Sequence, residues 1–222
     1  MYAIENLLFH RFKILFLLTL SMTLSIVLLM MRIKLNQSFY LLFLVWNLFL
    51  ALIPFAITTY LASIDRLHKV GFFLSFSLWL LFLPNAPYIV TDLLHLMNSQ
   101  SHVWLDVLVI MSFAFNGLIL YFLSLSDMEK LLKAHLSPKF MVPIMIFIFG
   151  LSAFGIYLGR FFRYNSWELI NNPVPLFQDI FRIIFSPNIE AWFFTLSFGS
   201  FLAISYWMLK AFSNGNLNMD EL

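Results

Sequence analysis

The chain has 222 residues, 62% of them hydrophobic, 19% aromatic and only 11% charged, with a net charge of +2. A soluble domain carries about 25% charged residues, so this chain lacks the means to cover a water-facing surface, and its 28 phenylalanines make the outside apolar too. The thin charge excludes a nucleic-acid footprint, and zero cysteines exclude disulfides, thiol nucleophiles and thiolate metal sites.

A helix needs about 20 apolar residues to cross the hydrocarbon core. Six segments qualify: Ile14–Met31, Tyr40–Leu61, Val70–Val90, Trp104–Ser124, Met141–Arg160 and Ala191–Lys210. The first follows Arg11 and Lys13 as a signal peptide would. Its apolar run exceeds the roughly 7–15 residues of a signal peptide and ends on Arg32 and Lys34 without a small-residue cleavage site, so it reads as a retained span. Pro84 and Pro87 break the third span by removing backbone donors. The pattern predicts a stop near Leu83 and a short second helix capped by Asn85, with Pro87 in its first turn. The connection from Phe161 to Glu190 is long. Its prolines 173, 175 and 187 bound a helical pattern over Leu176–Phe185 that gathers Gln178, Asp179 and Arg182, which predicts an interfacial amphipathic helix. The tail after Phe212 is polar and reads as frayed. The expected architecture is an all-α integral membrane protein, one domain over 1–222.

Lysine and arginine orient such a chain. With the amino terminus inside, inside segments hold Arg11, Lys13, Arg66, Lys69, Lys130, Lys133, Lys139 and Lys210, against Arg32, Lys34, Arg160, Arg163 and Arg182 outside. The bias predicts both termini in the cytoplasm. With six spans, the loops after spans one, three and five share a side. That puts Asp92, His95, His102 and Asp106 on the same side as Arg160, Arg163, Trp167 and Glu168.

Ionisable groups in such surroundings are expensive and ask for a reason. At α-helical spacing Tyr88, Thr91, Asp92 and His95 form one stripe, so a carboxylate and an imidazole face one object. Asp92 can orient His95 or raise its basicity. The bland alternative is an interhelical hydrogen-bond cluster. His102 and Asp106 open the fourth span on one face. Asp92, His95, His102 and Asp106 are the one plausible metal set, although their spacing matches no zinc motif and none is assigned. The simpler reading has Ser101 capping that helix, Asp106 favouring its positive end and His102 solvated. Asn47, Pro54, Thr58, Thr59 and Asn116-Gly117 suit interhelical hydrogen bonds and kinks, or the lining of a cavity.

The second polar block runs from Gly155 to Glu168. Gly155 and Gly159, extended by Gly150 and Ala153, let another helix approach closely, in this chain or in an oligomer. Arg160 and Arg163 offer paired hydrogen bonds to phosphate or carboxylate. An aromatic and basic belt at the headgroups accounts for Arg163, Tyr164 and Trp167 equally well. Arg160 follows the glycine face and is expected to point into the bundle, where Asp92 would neutralise it.

The segments Leu83-Pro-Asn-Ala-Pro-Tyr-Ile-Val-Thr-Asp-Leu-Leu-His95 and Gly155-Ile-Tyr-Leu-Gly-Arg-Phe-Phe-Arg-Tyr-Asn-Ser-Trp-Glu168 together resemble the signature blocks of a bacterial membrane-protein family, domain of unknown function 1361. The resemblance implies a small polytopic protein of the bacterial cytoplasmic membrane, and no activity. It marks Asn85, Pro87, Tyr88, Asp92, His95, Arg160, Arg163, Asn165, Ser166 and Trp167 as motif positions. Glu168 stands where the family pattern ends on aspartate, which keeps the carboxylate and lengthens its reach.

The expected site combines His95, Asp92 and Tyr88 as reacting groups with Arg160, Arg163, Asn85, Trp167 and Glu168 as ligand-binding groups. It suits an anionic lipid or another phosphate-bearing ligand. No cofactor is specified. Two other classes compete: a small transporter or channel gated by the broken third span, and a non-catalytic structural or partner-binding subunit.

Overall fold

Apolar runs bounded by charge and proline become helices because in lipid every backbone donor and acceptor must be satisfied within its own segment. The computed structural model describes residues 2–64, 68–98, 102–185 and 189–215. Among them there is no strand. Six helical stretches are long and apolar enough to span a membrane: Arg11–Asn36, Tyr40–Ala62, Lys69–Met97, Val103–Lys133, Pro138–Phe161 and Ile189–Ser213. The chain is an all-α, multi-pass membrane protein. Arg66, Ser101 and Pro187, used above for orientation, capping and bounding, lie outside the described residues, as do 216–222 of the tail.

Residue proximity divides the chain into two compact units, Met1–Ala134 and His135–Leu222. The first holds α1 (Tyr2–Asn36), α2 (Phe43–Ala62), α3 (Lys69–Phe82), α4 (Asn85–Tyr88), a ten-residue 3₁₀ stretch (Ile89–Asn98) and α5 (Val103–Lys133). The second holds α6 (Met141–Phe161), α7 (Glu168–Asn171), α8 (Pro173–Phe185) and α9 (Ile189–Gly215). The tail was expected to fray after Phe212, yet α9 continues to Gly215.

In the first unit α5 is central, packing against α1, α2, α4 and the 3₁₀ stretch. It runs nine residues beyond the expected Ser124. Met, Glu, Lys and Leu there are strong helix formers, and Lys130 and Lys133 in the last turn favour its negative end. Trp79 of α3 is fully buried, its indole N–H donating to Ser124 Oγ (2.8 Å). Pro54 sits inside α2, and the Thr58 hydroxyl one turn later donates to the Pro54 carbonyl (3.2 Å) or to that of Phe55 (3.1 Å).

Two ion pairs fasten α1 to α5. Arg11 grips both carboxylate oxygens of Asp127. Arg32 Nε donates to Asp106 Oδ1 (2.8 Å), while its Nη1 donates to the Ser38 carbonyl (2.8 Å). Arg11 and Arg32 stand 21 residues apart on α1, as Asp106 and Asp127 do on α5. At 1.5 Å per residue that is about 31 Å of antiparallel helix, close to the roughly 30 Å of a hydrocarbon core. Between them Asn116 Nδ2 donates to Ser25 Oγ (2.9 Å). The charged pairs thus bracket a membrane thickness of apolar helix, with one amide–hydroxyl bond inside it.

In the second unit α6 packs on α9. A Cβ added at Gly199 of α9 would lie 3.5 Å from the Phe149 carbonyl oxygen and 3.6 Å from Ala153 Cβ. Ala153 therefore does belong to a close-packed seam. Gly150 does not, since a Cβ there would meet nothing within 4 Å. Gly155 and Gly159 are half-buried.

Candidate functional site

The site begins with the break after α3. Asn85 was expected to cap the helix it opens. Instead its Nδ2 donates back to the Phe82 carbonyl (2.9 Å), closing the end of α3, and Pro84 occupies the cap position of α4. The reason is that Pro87 lacks an N–H, which leaves the start of α4 with fewer donors in need of a cap. The turn then lies against α5 at Gly117, where a Cβ would fall 2.4 Å from the Ala86 carbonyl oxygen. Only a residue without a side chain admits this backbone approach.

From Ile89 the backbone tightens to 3₁₀, with three residues per turn instead of 3.6. This corrects the stripe drawn at α-helical spacing. Residues three apart eclipse, so Tyr88 and Thr91 fall in one row and Asp92 and His95 in the next. In the first row the Thr91 hydroxyl donates to the Tyr88 carbonyl (2.7 Å). In the second, His95 Nε2 stands 3.8 Å from Asp92 Oδ1. A 3₁₀ run of ten residues is long for this geometry, which rarely exceeds three or four and often marks a functional hinge or strain.

Asp92 is 1% exposed, and its Oδ2 accepts from Asn47 Nδ2 of α2 (2.9 Å). The His95 side chain is 29% exposed. Its Nδ1 lies 2.8 Å from the Tyr40 hydroxyl, and its ring meets that of Phe43 at 4.9 Å. In the tautomer that carries its proton on Nε2, facing the carboxylate, Nδ1 accepts from the phenol; in the other tautomer Nδ1–H donates to the phenol oxygen. The result is a polar row of Asn47, Asp92, His95 and Tyr40, in which Asp92 is buried, Asn47 and His95 are half-buried and Tyr40 is exposed. The sequence offers Asn47 only as a cavity or interhelical hydrogen-bond candidate and does not single out Tyr40, whose hydroxyl lies 2.8 Å from the imidazole. Tyr40 opens the second span seven residues before Asn47, and that spacing is the signal available in the sequence. Tyr88 is half-buried at the end of α4.

The four-residue metal set comes apart. Asp106, 3% exposed, is held by Arg32, itself 5% exposed. His102 Nδ1 lies 2.8 Å from Asn36 Oδ1, and this histidine, in left-handed backbone (φ 51°), is the cap residue of α5. Both carboxylates are buried, but they serve different partners. No group of three or more histidines and carboxylates among the described residues could hold a metal.

In the second unit Arg160 is half-buried near the end of α6. Arg163 is exposed and takes left-handed backbone (φ 61°). This conformation costs a non-glycine residue about 1–2 kcal/mol. It turns the chain off the helix so that the Tyr164 N–H reaches the Leu158 carbonyl (3.3 Å). Glu168 spends a carboxylate oxygen on the Asn165 N–H (3.2 Å), and Trp167 is half-buried before α7. The Tyr164 hydroxyl donates to Asp179 Oδ2 of α8 (2.8 Å). That bond to a carboxylate holds the phenol above the usual tyrosine range, with burial and the charges of Asp179 and Glu168 adding to it.

No curated protein and no solved structure matches this chain. A family model, described as a protein of unknown function (DUF1361), matches residues 46–205. That stretch contains both polar blocks, Asn47, Asp106 and Asp127, while Arg11, Arg32 and Tyr40 precede it. With the match covering well over half of its length, the chain belongs to the DUF1361 family.

Proposed function

We propose that this protein binds the headgroup of an anionic envelope lipid, or of a lipid precursor, and moves a proton on it at His95. The observation that carries the reading is the part-exposed imidazole of His95, with buried Asp92 behind it and the Tyr40 hydroxyl 2.8 Å in front. A carboxylate on one ring nitrogen sets the tautomer and leaves the other as a base. The phenol oxygen of Tyr40 accepts a proton from a substrate hydroxyl as its own proton passes to Nδ1, and the reverse transfer restores the site. The setting is the bacterial cytoplasmic membrane with both termini inside, supported by the lysine and arginine bias.

The test compares membrane lipids of cells lacking the gene after complementation with wild type, His95→Ala or Tyr40→Phe. Both variants are expected to reach normal abundance without restoring the lipid profile. A restored profile in His95→Ala cells would remove the proposal. A second reading is favoured by the hydrogen bond from Asn47 to the buried Asp92 carboxylate: the cluster serves as a joint between α2 and the 3₁₀ stretch. It predicts that Asp92→Asn and Asn47→Ala lower abundance, and that any phenotype follows abundance alone.

A further inference from the structure

Helix α8 divides its surface into three sectors. At 100° per residue, Leu176, Ile180 and Ile183 share one side. Leu176 and Ile183 are buried and Ile180 partly so, against Tyr157, Leu158 and Ala191. Gln178, Asp179 and Arg182 form a polar side with Pro175, and the Arg182 side chain is 78% exposed. Between these lies a second apolar side of Val174, Phe177, Phe181, Ile184 and Phe185, every one exposed. Phe181 and Phe185 stack along it, centroids 6.1 Å apart. A helix that only covered its own core would need one apolar sector. This one has two, and thirteen residues cover about 20 Å, too short to span.

We propose that α8 lies in the plane of the membrane with this second sector inserted among lipid acyl chains, so that a phospholipid leaflet is its partner. Three observations commit the surface to lipid. In the chain α8 lies between two stretches long and apolar enough to span, Pro138–Phe161 and Ile189–Ser213, and the second opens on exposed Ile189, Trp192 and Phe193. The polar sector stands beside the stripe, as the headgroup layer stands beside the acyl layer. Arg182, on the polar sector, then sits at phosphate level, where a guanidinium is favoured. The Tyr164–Asp179 bond holds the loop after α6 to the polar side, so insertion does not compete with it. This inference does not depend on the proposed function of His95.

The chain has no cysteine, so single-site labelling is clean. Full-length protein carrying Phe177→Cys, Phe181→Cys, Phe185→Cys, Gln178→Cys or Arg182→Cys is spin-labelled in phosphatidylglycerol–phosphatidylcholine vesicles. Collision with oxygen, which concentrates in lipid, is compared with collision with a water-soluble nickel chelate. The logarithm of the oxygen-to-nickel ratio is expected to change sign around the helix: positive at 177, 181 and 185, negative at 178 and 182. Nickel access at the three phenylalanine positions equal to that at 178 overturns the proposal, because the stripe then faces water. Protection from both reagents also overturns it, because protein, either a second copy or another partner, then covers the stripe.

Discussion

Asp92 and Asp106 are both buried carboxylates of the first unit, and their partners make them opposites. Asp106 meets the guanidinium of Arg32, a cation that cannot lose its charge in a protein, and both groups are almost wholly hidden from solvent. Asp92 meets the amide of Asn47 and a titratable imidazole that is part-exposed. The first arrangement is a weld, because neither member can exchange a proton without leaving a bare charge behind. The second sets its carboxylate beside an amide and a titratable ring and ends at the exposed Tyr40. Burial of a carboxylate in a membrane protein therefore does not by itself mark a site. What the carboxylate faces, and whether that group reaches the surface, decides.

Breaking the weld should have the largest effect. Arg32→Ala removes the cation that answers the buried Asp106 carboxylate, a change worth about 3–5 kcal/mol in soluble proteins, so thermal unfolding in detergent should show a large loss of stability. The double variant R32M/D106L should recover most of it, because no lone charge remains. If the double variant is as unstable as the single one, the pair is not what holds α1 to α5.

The comparison sharpens at Gly117. Gly117→Ala drives a methyl group into the Ala86 carbonyl, an overpacking expected to cost about 1–3 kcal/mol. It should also displace the 3₁₀ stretch, so it is expected to lower both stability and any activity that depends on His95. An unchanged melting temperature would mean that α4 is free to move away.

Within the candidate site the effects should fall from the bond on buried Asp92 to the bond on exposed Tyr40. Asn47→Ala removes a hydrogen bond to a charged group, worth about 1.5–3 kcal/mol. Tyr40→Phe removes one to a part-exposed ring, worth about 0.5–1.5 kcal/mol. Paired melting curves would reveal the order, and a reversal would mean that the outer end is structural.

The smallest effect belongs to the second unit, where the polar contacts are local and at most half-buried. The Tyr164 phenol titrates above the ordinary tyrosine range because it donates to Asp179. A raised folded-state pKa favours the protonated form. Its contribution is therefore full below the ordinary tyrosine pKa and is lost as pH climbs through the folded value. The difference in phenolate absorbance between wild type and Tyr164→Phe should accordingly appear later than for a free tyrosine. A coincident titration would show that the bond to Asp179 does not persist in solution.

Much of this was legible beforehand because lipid imposes simple rules. Apolar runs of about 20 residues gave the six spans, and the polar row gave α8, although the helix takes in Pro173 and Pro175 and begins three residues before the expected Leu176 because proline is tolerated in a first turn. Residues past the apolar run at the end of α5 were not foreseen, because helix propensity carries on after hydropathy stops. The stripe of Tyr88, Thr91, Asp92 and His95 was placed on an α-helix, since nothing in Ile89–Asn98 signals a 3₁₀ backbone. That segment tightens against α5, where Gly117 clears the way.

The sequence by itself determined the class of the protein: an all-α membrane chain of the DUF1361 family with two polar blocks. Only the tertiary structure decided which polar groups meet. Arg32 looked like the flank of a span and Asp106 like a helix-end carboxylate until antiparallel packing placed them in one register, 21 residues from a second such pair. His95 acquired Tyr40 in the same way, 55 residues distant in the chain. Hydropathy is a property of a segment, whereas a buried charge must be answered by a specific partner, and which partner arrives depends on the packing of distant helices.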